Sequence, residues 1–191
     1  MARHGETRAA LLRTAAELFR RQGYHGTGVN QVIAESGAPK GSLYFHFPAG
    51  KEQLAAEAVA LSGTETGGVL ATTVRAPDAR AGITAIGEHF ATELERSQFA
   101  HGCPVATVAL ETAAENETLR TACAAVYDGW RDGLAAALAA WGVPAPRTVP
   151  LADLTLSAVQ GALVLARVRR DADVIRNVTA HLADQITTEI P

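Results

Sequence analysis

A chain of 191 residues that is 48% hydrophobic can bury a real core, which excludes an intrinsically disordered protein. Its two cysteines, Cys103 and Cys123, are too few and too widely spaced for a disulfide framework or a zinc site. The net charge is −3, yet residues 1–54 carry seven Lys and Arg against four acids, a net +3, and leave the remainder at −6. A basic head on an acidic body offers only the head to phosphate.

No run reaches the ~20 uncharged apolar residues of a membrane span; the longest candidate, residues 154–168, is broken by Ser157, Gln160, Gly161 and Arg167. The opening residues 1–6 lack the apolar segment and cleavage site of a signal peptide. A reducing cytoplasm is the expected location.

Beta-branched residues are scattered, strict alternation is absent and alanine is abundant, so every element reads as helix. The first helix spans residues 6–22, with Leu11, Leu12, Ala15, Ala16, Leu18 and Phe19 at helical spacing and Gly23 as its stop. A very short helix follows over 29–36, ended by Gly37. After the turn Gly37-Ala38-Pro39, another covers Lys40 to Phe45 or His46, with Pro39 suited to its start. Neither can persist alone, because nucleation is costly, so both must pack on the first helix and on a fourth that starts near Lys51. That layout is a helix-turn-helix.

Residues 62–68 (Ser-Gly-Thr-Glu-Thr-Gly-Gly) have poor helix propensity and form either a loop or a soft continuation of the fourth helix. Longer helices follow over 79–98, 104–114, 118–141 and 151–169. The last, 171–189, carries Val174, Val178, Leu182 and Ile186 four residues apart. Residues 143–150, with three prolines, read as a loop.

The informative segment is Gly37-Ala38-Pro39-Lys40-Gly41-Ser42-Leu43-Tyr44-Phe45-His46-Phe47, closed by Lys51-Glu52-Gln53-Leu54. Leu43 and Phe47 form one buried face of the short helix. Lys40 can reach phosphate or a guanine edge, Gly41 lets backbone approach DNA, Ser42 is a permissive hydrogen-bonder, and Phe45 suits a thymine methyl. Phe45 could equally pack on the first helix, and His46 could be structural.

This segment resembles the DNA-binding signature of the TetR family, as do Ala16-Glu17-Leu18-Phe19, Gly23-Tyr24, Gly26-Thr27 and Val32-Ile33-Ala34. The resemblance implies that Tyr44, His46 and Lys51 bind phosphate, contacts that position the protein while base contacts specify sequence. The family often has Ser or Thr where Gly28 and Pro39 stand; Asn30 or Thr27 can compensate. Farther on, Phe99-Ala100-His101-Gly102-Cys103-Pro104, Ala109-Leu110-Glu111 and Leu156-Ser157-Ala158-Val159-Gln160-Gly161-Ala162-Leu163 resemble the LmrA/QdoR-type branch, where a Glu is more usual at the Gln160 position. That resemblance implies a ligand-binding, dimerising helical domain.

The expected protein is all-α. A helix-turn-helix region over residues 1–50 joins a helical bundle over 51–191, and the whole is a ligand-responsive repressor on a palindromic double-stranded operator. Phe90, Phe99, Tyr127 and Trp130 are candidates for a mostly apolar effector pocket, or else ordinary core. Cys103 is either a sensor thiol in that site or a small buried hydrophobe. A homodimer is expected through the apolar helix from Leu154 to its end at Val168 and through the ladder Val174, Val178, Leu182 and Ile186. The rival readings are a DNA-binding regulator without a ligand and an all-helical enzyme. His89 with Glu93, and Glu111 with Glu115, lie one turn apart, but no Glu-x-x-His pair, nucleophile constellation or phosphate loop accompanies them. No metal or cofactor is expected.

Overall fold

The computed structural model describes residues 4–73 and 75–191; Arg3 of the basic head lies outside them. Nine α-helices and no strand stand among the described residues. They are α1 (His4–Gln22), α2 (Val29–Ser36), α3 (Ser42–His46), α4 (Gly50–Thr73), α5 (Ala79–Arg96), α6 (Pro104–Thr112), α7 (Glu117–Ala140), α8 (Ala145–Arg169) and α9 (Asp173–Thr188). The chain forms two compact units, one running up to Thr64 and including Cys103–Val126, the other made of Glu65–Gly102 and Tyr127–Pro191. The divide falls within α4 and within α7.

In the first unit α1 packs against α2, α3 and α6. Leu11, Ala15, Leu18 and Phe19 line its inner face at three- and four-residue spacing, each at most 2% exposed. Val32, Leu43, Phe47, Leu54, Val105 and Val108 are equally buried, so the two short helices persist by packing rather than by propensity. Gly37 and Gly41 adopt φ of +67° and +88°, the left-handed region that glycine enters without a steric cost. Gly37 thereby caps α2. Gly41 stops α3 from extending back to Lys40, so the helix begins at Ser42 and not at the expected Lys40. Pro39 sits in the turn ahead of it, where its carbonyl accepts from Ser42 N at 3.1 Å.

In the second unit α9 packs against α5 and α8. The approach of α5 to α9 is close: a Cβ at Gly87 would stand 1.9 Å from Thr179 Oγ1. Asp78 caps α5 by accepting from Ala81 N at 2.8 Å, a contact worth about 1 kcal/mol. Outside this core Arg176 pairs with Glu88, Glu95 and Asp173, and Arg147 with Glu189.

Three expectations change, and one open choice is decided: of the two alternatives for residues 62–68 the continuation of the fourth helix holds, and α4 runs through them to Thr73. Of residues 143–150 only Val143 and Pro144 lie outside a helix: Pro144 caps α8, Pro146 occupies the first turn, where a missing N–H is no loss, and only Pro150 lies within the helix. With those residues included, α8 is 25 residues long and, by length and composition, apolar enough to cross a membrane. Finally, the ladder on α9 is rotated from the expected one. Leu182 and Ile186 are 5% and 0% exposed, packed inside this chain beside Ile175 and Thr179, while Val174 and Val178 are half-buried. The outer face of α9 presents Asn177, His181, Asp184 and Gln185. On α8, Leu163 is likewise buried, whereas Leu154, Val164, Leu165 and Val168 are exposed at 47%, 54%, 47% and 79%.

Candidate nucleic-acid interface and ligand cleft

α3 is anchored from one side only. Leu43 and Phe47 are 0% exposed, and Phe47 N donates to Leu43 O at 2.7 Å to close the helix. The same short helix holds Tyr44 and Phe45 at 60% and 66% exposure. Phe45 is therefore not packed on α1; it meets His46 edge-on at 5.2 Å between centroids. Asn30, Lys40, Gly41 and Tyr44 line an open groove between α2 and α3. Ser42 Oγ donates to Pro39 O at 2.7 Å, which leaves its lone pairs free to accept. Thr27 has no such freedom. It is 1% exposed and its hydroxyl donates to Gly23 O at 2.7 Å, so its placement among the DNA-contacting residues is corrected: it fastens the end of α1. At α2, Gly28 supplies no side-chain cap.

Lys51, in the first turn of α4, lies with Nζ 4.2 Å above the Tyr24 ring, a cation–π arrangement. Burial pushes its pKa below the usual lysine value, and the Glu111 carboxylate opposes that shift. Glu111 also accepts from His25 N at 2.8 Å, and it occupies the space a side chain at Gly23 would need. Two further bonds tie this region together: Asn116 Nδ2 to Glu52 Oε2 at 2.7 Å, and Thr107 Oγ1 to Phe19 O at 3.1 Å. Nothing in the local sequence marks Glu111 for this role, because its partners lie far away in the chain.

The second unit contains an apolar cleft of about 120 Å3. Phe90 from α5 and Trp130 from α7 line it, with Leu70, Leu134, Leu156 and Val159. Tyr127 meets Trp130 edge-on at 5.5 Å and lines a neighbouring open cleft with Asp128, Arg131 and Asp153. Phe99 lines neither; it has φ of +62° and its carbonyl accepts from Arg167 Nε at 3.3 Å. Cys103 belongs to the first unit, 6% exposed at the N-cap of α6. Burial, with Cys103 adding to it, pushes the Cys123 thiol up to about 11. Gln160, part of the branch motif but not among the expected pocket residues, lines both clefts; Gly129 and Gly133 also line the apolar one, and their one-turn spacing in an alanine-rich helix was the available signal. No group of three or more His, Cys, Asp or Glu suited to a metal occurs among the described residues. Glu93 is paired with Arg96 at 2.8 Å.

The architecture defines the class: an all-helical protein whose N-terminal helices form a helix-turn-helix. Residues 11–58 match the bacterial regulatory proteins of the tetR family, and residues 79–181 match the C-terminal domain of LmrA/YxaF-like transcriptional regulators. The chain is 34% identical over 182 residues to the HTH-type transcriptional regulator LmrA of Bacillus subtilis (strain 168), covering 95% of this chain and 97% of that one. It is 37% identical over 172 residues to the HTH-type regulator YxaF of the same organism, covering 90% of each. A TetR transcriptional regulator from Chloroflexus aurantiacus J-10-FL superposes with a TM-score of 0.84 at 31% identity, covering 100% of this chain and 98% of that one. The regulator CifR, solved as a cysteine mutant with 26 bp of double-strand operator DNA, shares the fold with a TM-score of 0.76 at 22% identity, over 92% of this chain and 94% of its own. The chain belongs to the TetR family of bacterial transcriptional regulators, in its LmrA/YxaF-like branch.

Proposed function

We propose that this regulator is a repressor that binds a palindromic operator as a homodimer and is released by a small, largely apolar effector held in the cleft of the second unit. The observation that carries the DNA reading is the pair Tyr44 and Phe45, held in solvent by a helix whose other face is wholly buried. Folding has no use for two adjacent exposed aromatics; a duplex does. In this reading Tyr44, His46, Lys51 and Asn30 engage phosphates, while Lys40, Ser42 and Phe45 meet base edges and Gly41 gives close backbone access. Such a protein acts in the cytoplasm. CifR, which shares the fold, was solved on operator DNA, and that supports the same partner here.

One α3 buries too little surface to select a site, so two copies on two half-sites are required. The exposed stripe Leu154, Val164, Leu165 and Val168 on α8 supports an isologous interface in which α8 meets its symmetry mate. The same stripe accounts for the hydropathy of α8 without a bilayer. The contribution of α9 is its polar outer face, Asn177, His181 and Asp184, since Leu182 and Ile186 are already used within the chain.

DNA contact is assigned to residues 1–50, and ligand binding with dimerisation to 51–191. α4 carries Lys51 at its start and Gly67 and Leu70 of the cleft lining near its end. The glycines within it lower its stiffness, and an effector that favours one setting of this helix shifts the population away from the operator-bound form. The cleft also favours a sensor over a regulator without a ligand, because a body with no such role would be filled. Titration of a labelled operator with and without effector, read by fluorescence anisotropy, tests the reading. The effector must bind the free dimer more tightly than the DNA complex, by the same factor that it weakens DNA; equal affinities would sink it.

A further inference from the structure

The cleft restricts what it can accept. Its volume of about 120 Å3 is close to the ~150 Å3 of an engineered apolar cavity that takes benzene, so one six-membered ring with a small substituent fills it. No Lys, Arg, Asp or Glu stands among the lining residues, and an ion entering would shed its hydration with no counter-charge to meet. The lining hydroxyls donate into their own helices, Thr155 to Leu151 O at 2.7 Å and Thr73 to Leu70 O at 2.6 Å. Gln160 differs: its amide makes no hydrogen bond to another described residue, and an amide can serve a hydroxyl or a carbonyl equally.

α7 adds a second restriction. Gly129 and Gly133 lie one turn apart in the lining, exposed, on either side of buried Trp130. A Cβ at either would meet no heavy atom within 4 Å, and neither has a positive φ. Interior glycines weaken a helix relative to alanine, and nothing packed in this chain requires these two. What they provide is bare backbone beside an indole, a flat surface against which a planar ring can lie.

We propose that the cleft binds a neutral compound with one planar ring and a single hydroxyl or carbonyl substituent, the phenol class. The ring lies against Trp130 and Phe90 over Gly129 and Gly133, and the substituent is hydrogen-bonded to Gln160. This identifies the effector of the repressor proposed above and rests on that reading for its regulatory meaning, though not for its binding.

The test is calorimetric titration of the whole protein, without DNA, with phenol, toluene and benzoate. Phenol and toluene should bind, and benzoate should be weaker than phenol by at least a hundredfold. Gln160→Leu should weaken phenol about tenfold and leave toluene unchanged or tighter. Gly133→Leu should abolish binding of both while leaving the melting temperature unchanged or raised; Gly129→Ala, a smaller change, should weaken both in the same direction. The assignment is overturned if phenol fails to bind at millimolar concentration, if benzoate binds as tightly as phenol, or if a folded Gly133→Leu protein binds phenol normally. Phenol binding that leaves operator affinity untouched removes the regulatory reading and keeps the ligand assignment.

Discussion

Two residues of α3, separated by a single position, should divide folding from recognition. Leu43 is 0% exposed and Phe45 is 66% exposed. Leu43→Ala removes a fully buried side chain and leaves a cavity, at a cost of roughly 2–5 kcal/mol. For a chain of this size a loss of about 3 kcal/mol lowers the melting temperature by roughly 6–12 °C. Phe45→Ala removes atoms that already face water, so its effect on stability should stay within ~0.5 kcal/mol. If the ring touches a base, however, its loss should weaken the preferred operator by about 1–3 kcal/mol, roughly 5–150-fold, and relax preference at one base pair. Thermal unfolding and anisotropy on a panel of single-base operator variants measure the two effects separately. A Phe45→Ala protein that melts as early as Leu43→Ala, with its sequence preference intact, would instead make Phe45 a packing residue with no base contact.

Lys51→Ala should weaken binding on all sequences alike and reduce the salt slope of log K by about one unit, measured between low and moderate salt. Tyr24→Leu, which removes the ring beneath its ammonium, should lower affinity in the same sequence-independent way but by less. Val164→Asp, on the exposed stripe of α8, should yield a folded monomer by light scattering that has lost operator binding; Leu163→Asp and Leu182→Asp should instead unfold the chain, because both residues are buried. Burial holds the His89 imidazole below the usual histidine range, with Glu93 opposing and Arg96 assisting. The unfolded chain therefore takes up a proton that the folded chain refuses, so stability present above pH 6.5 falls as the pH drops below it. His89→Gln should flatten that loss in urea unfolding at pH 7.5 and 5.5.

The helix-turn-helix was legible because its signals are local. Hydrophobic spacing placed Leu11, Leu18, Phe19, Leu43 and Phe47 in the core, and glycines marked where α1 and α2 stop. What the sequence could not settle was decided by contacts between distant segments. Thr27 fitted a DNA-contacting hydroxyl, yet it is buried and its hydroxyl donates to the carbonyl of Gly23. The prolines at 144, 146 and 150 looked like a loop, yet two of them sit where a helix lacks N–H partners anyway. The first half of the α9 ladder was misplaced by one residue, because Val174 and Ile175 both fit a helical repeat and only packing within the second unit selects Ile175, while Leu182 and Ile186 are buried as part of the same face. Glycines 63, 67 and 68 argued against helix locally, but α4 continues through them; a Cβ at Gly63 would stand 2.6 Å from Val126, so one of these glycines permits close packing. The cleft was half legible. Phe90 and Trp130 are in it, whereas Phe99 and Cys103 gave no sign that they point elsewhere.

If two copies of this chain read a two-fold operator through α3, as proposed, selection from randomised duplexes should enrich an inverted repeat. Footprinting of that sequence at physiological salt should show half-site centres about one helical turn apart or slightly more, on the order of 34–36 Å or beyond, protected together and lost together in Val164→Asp. Protection of a single asymmetric half-site, or an operator bound equally well by the monomeric variant, would show that no such symmetric pair reads the DNA.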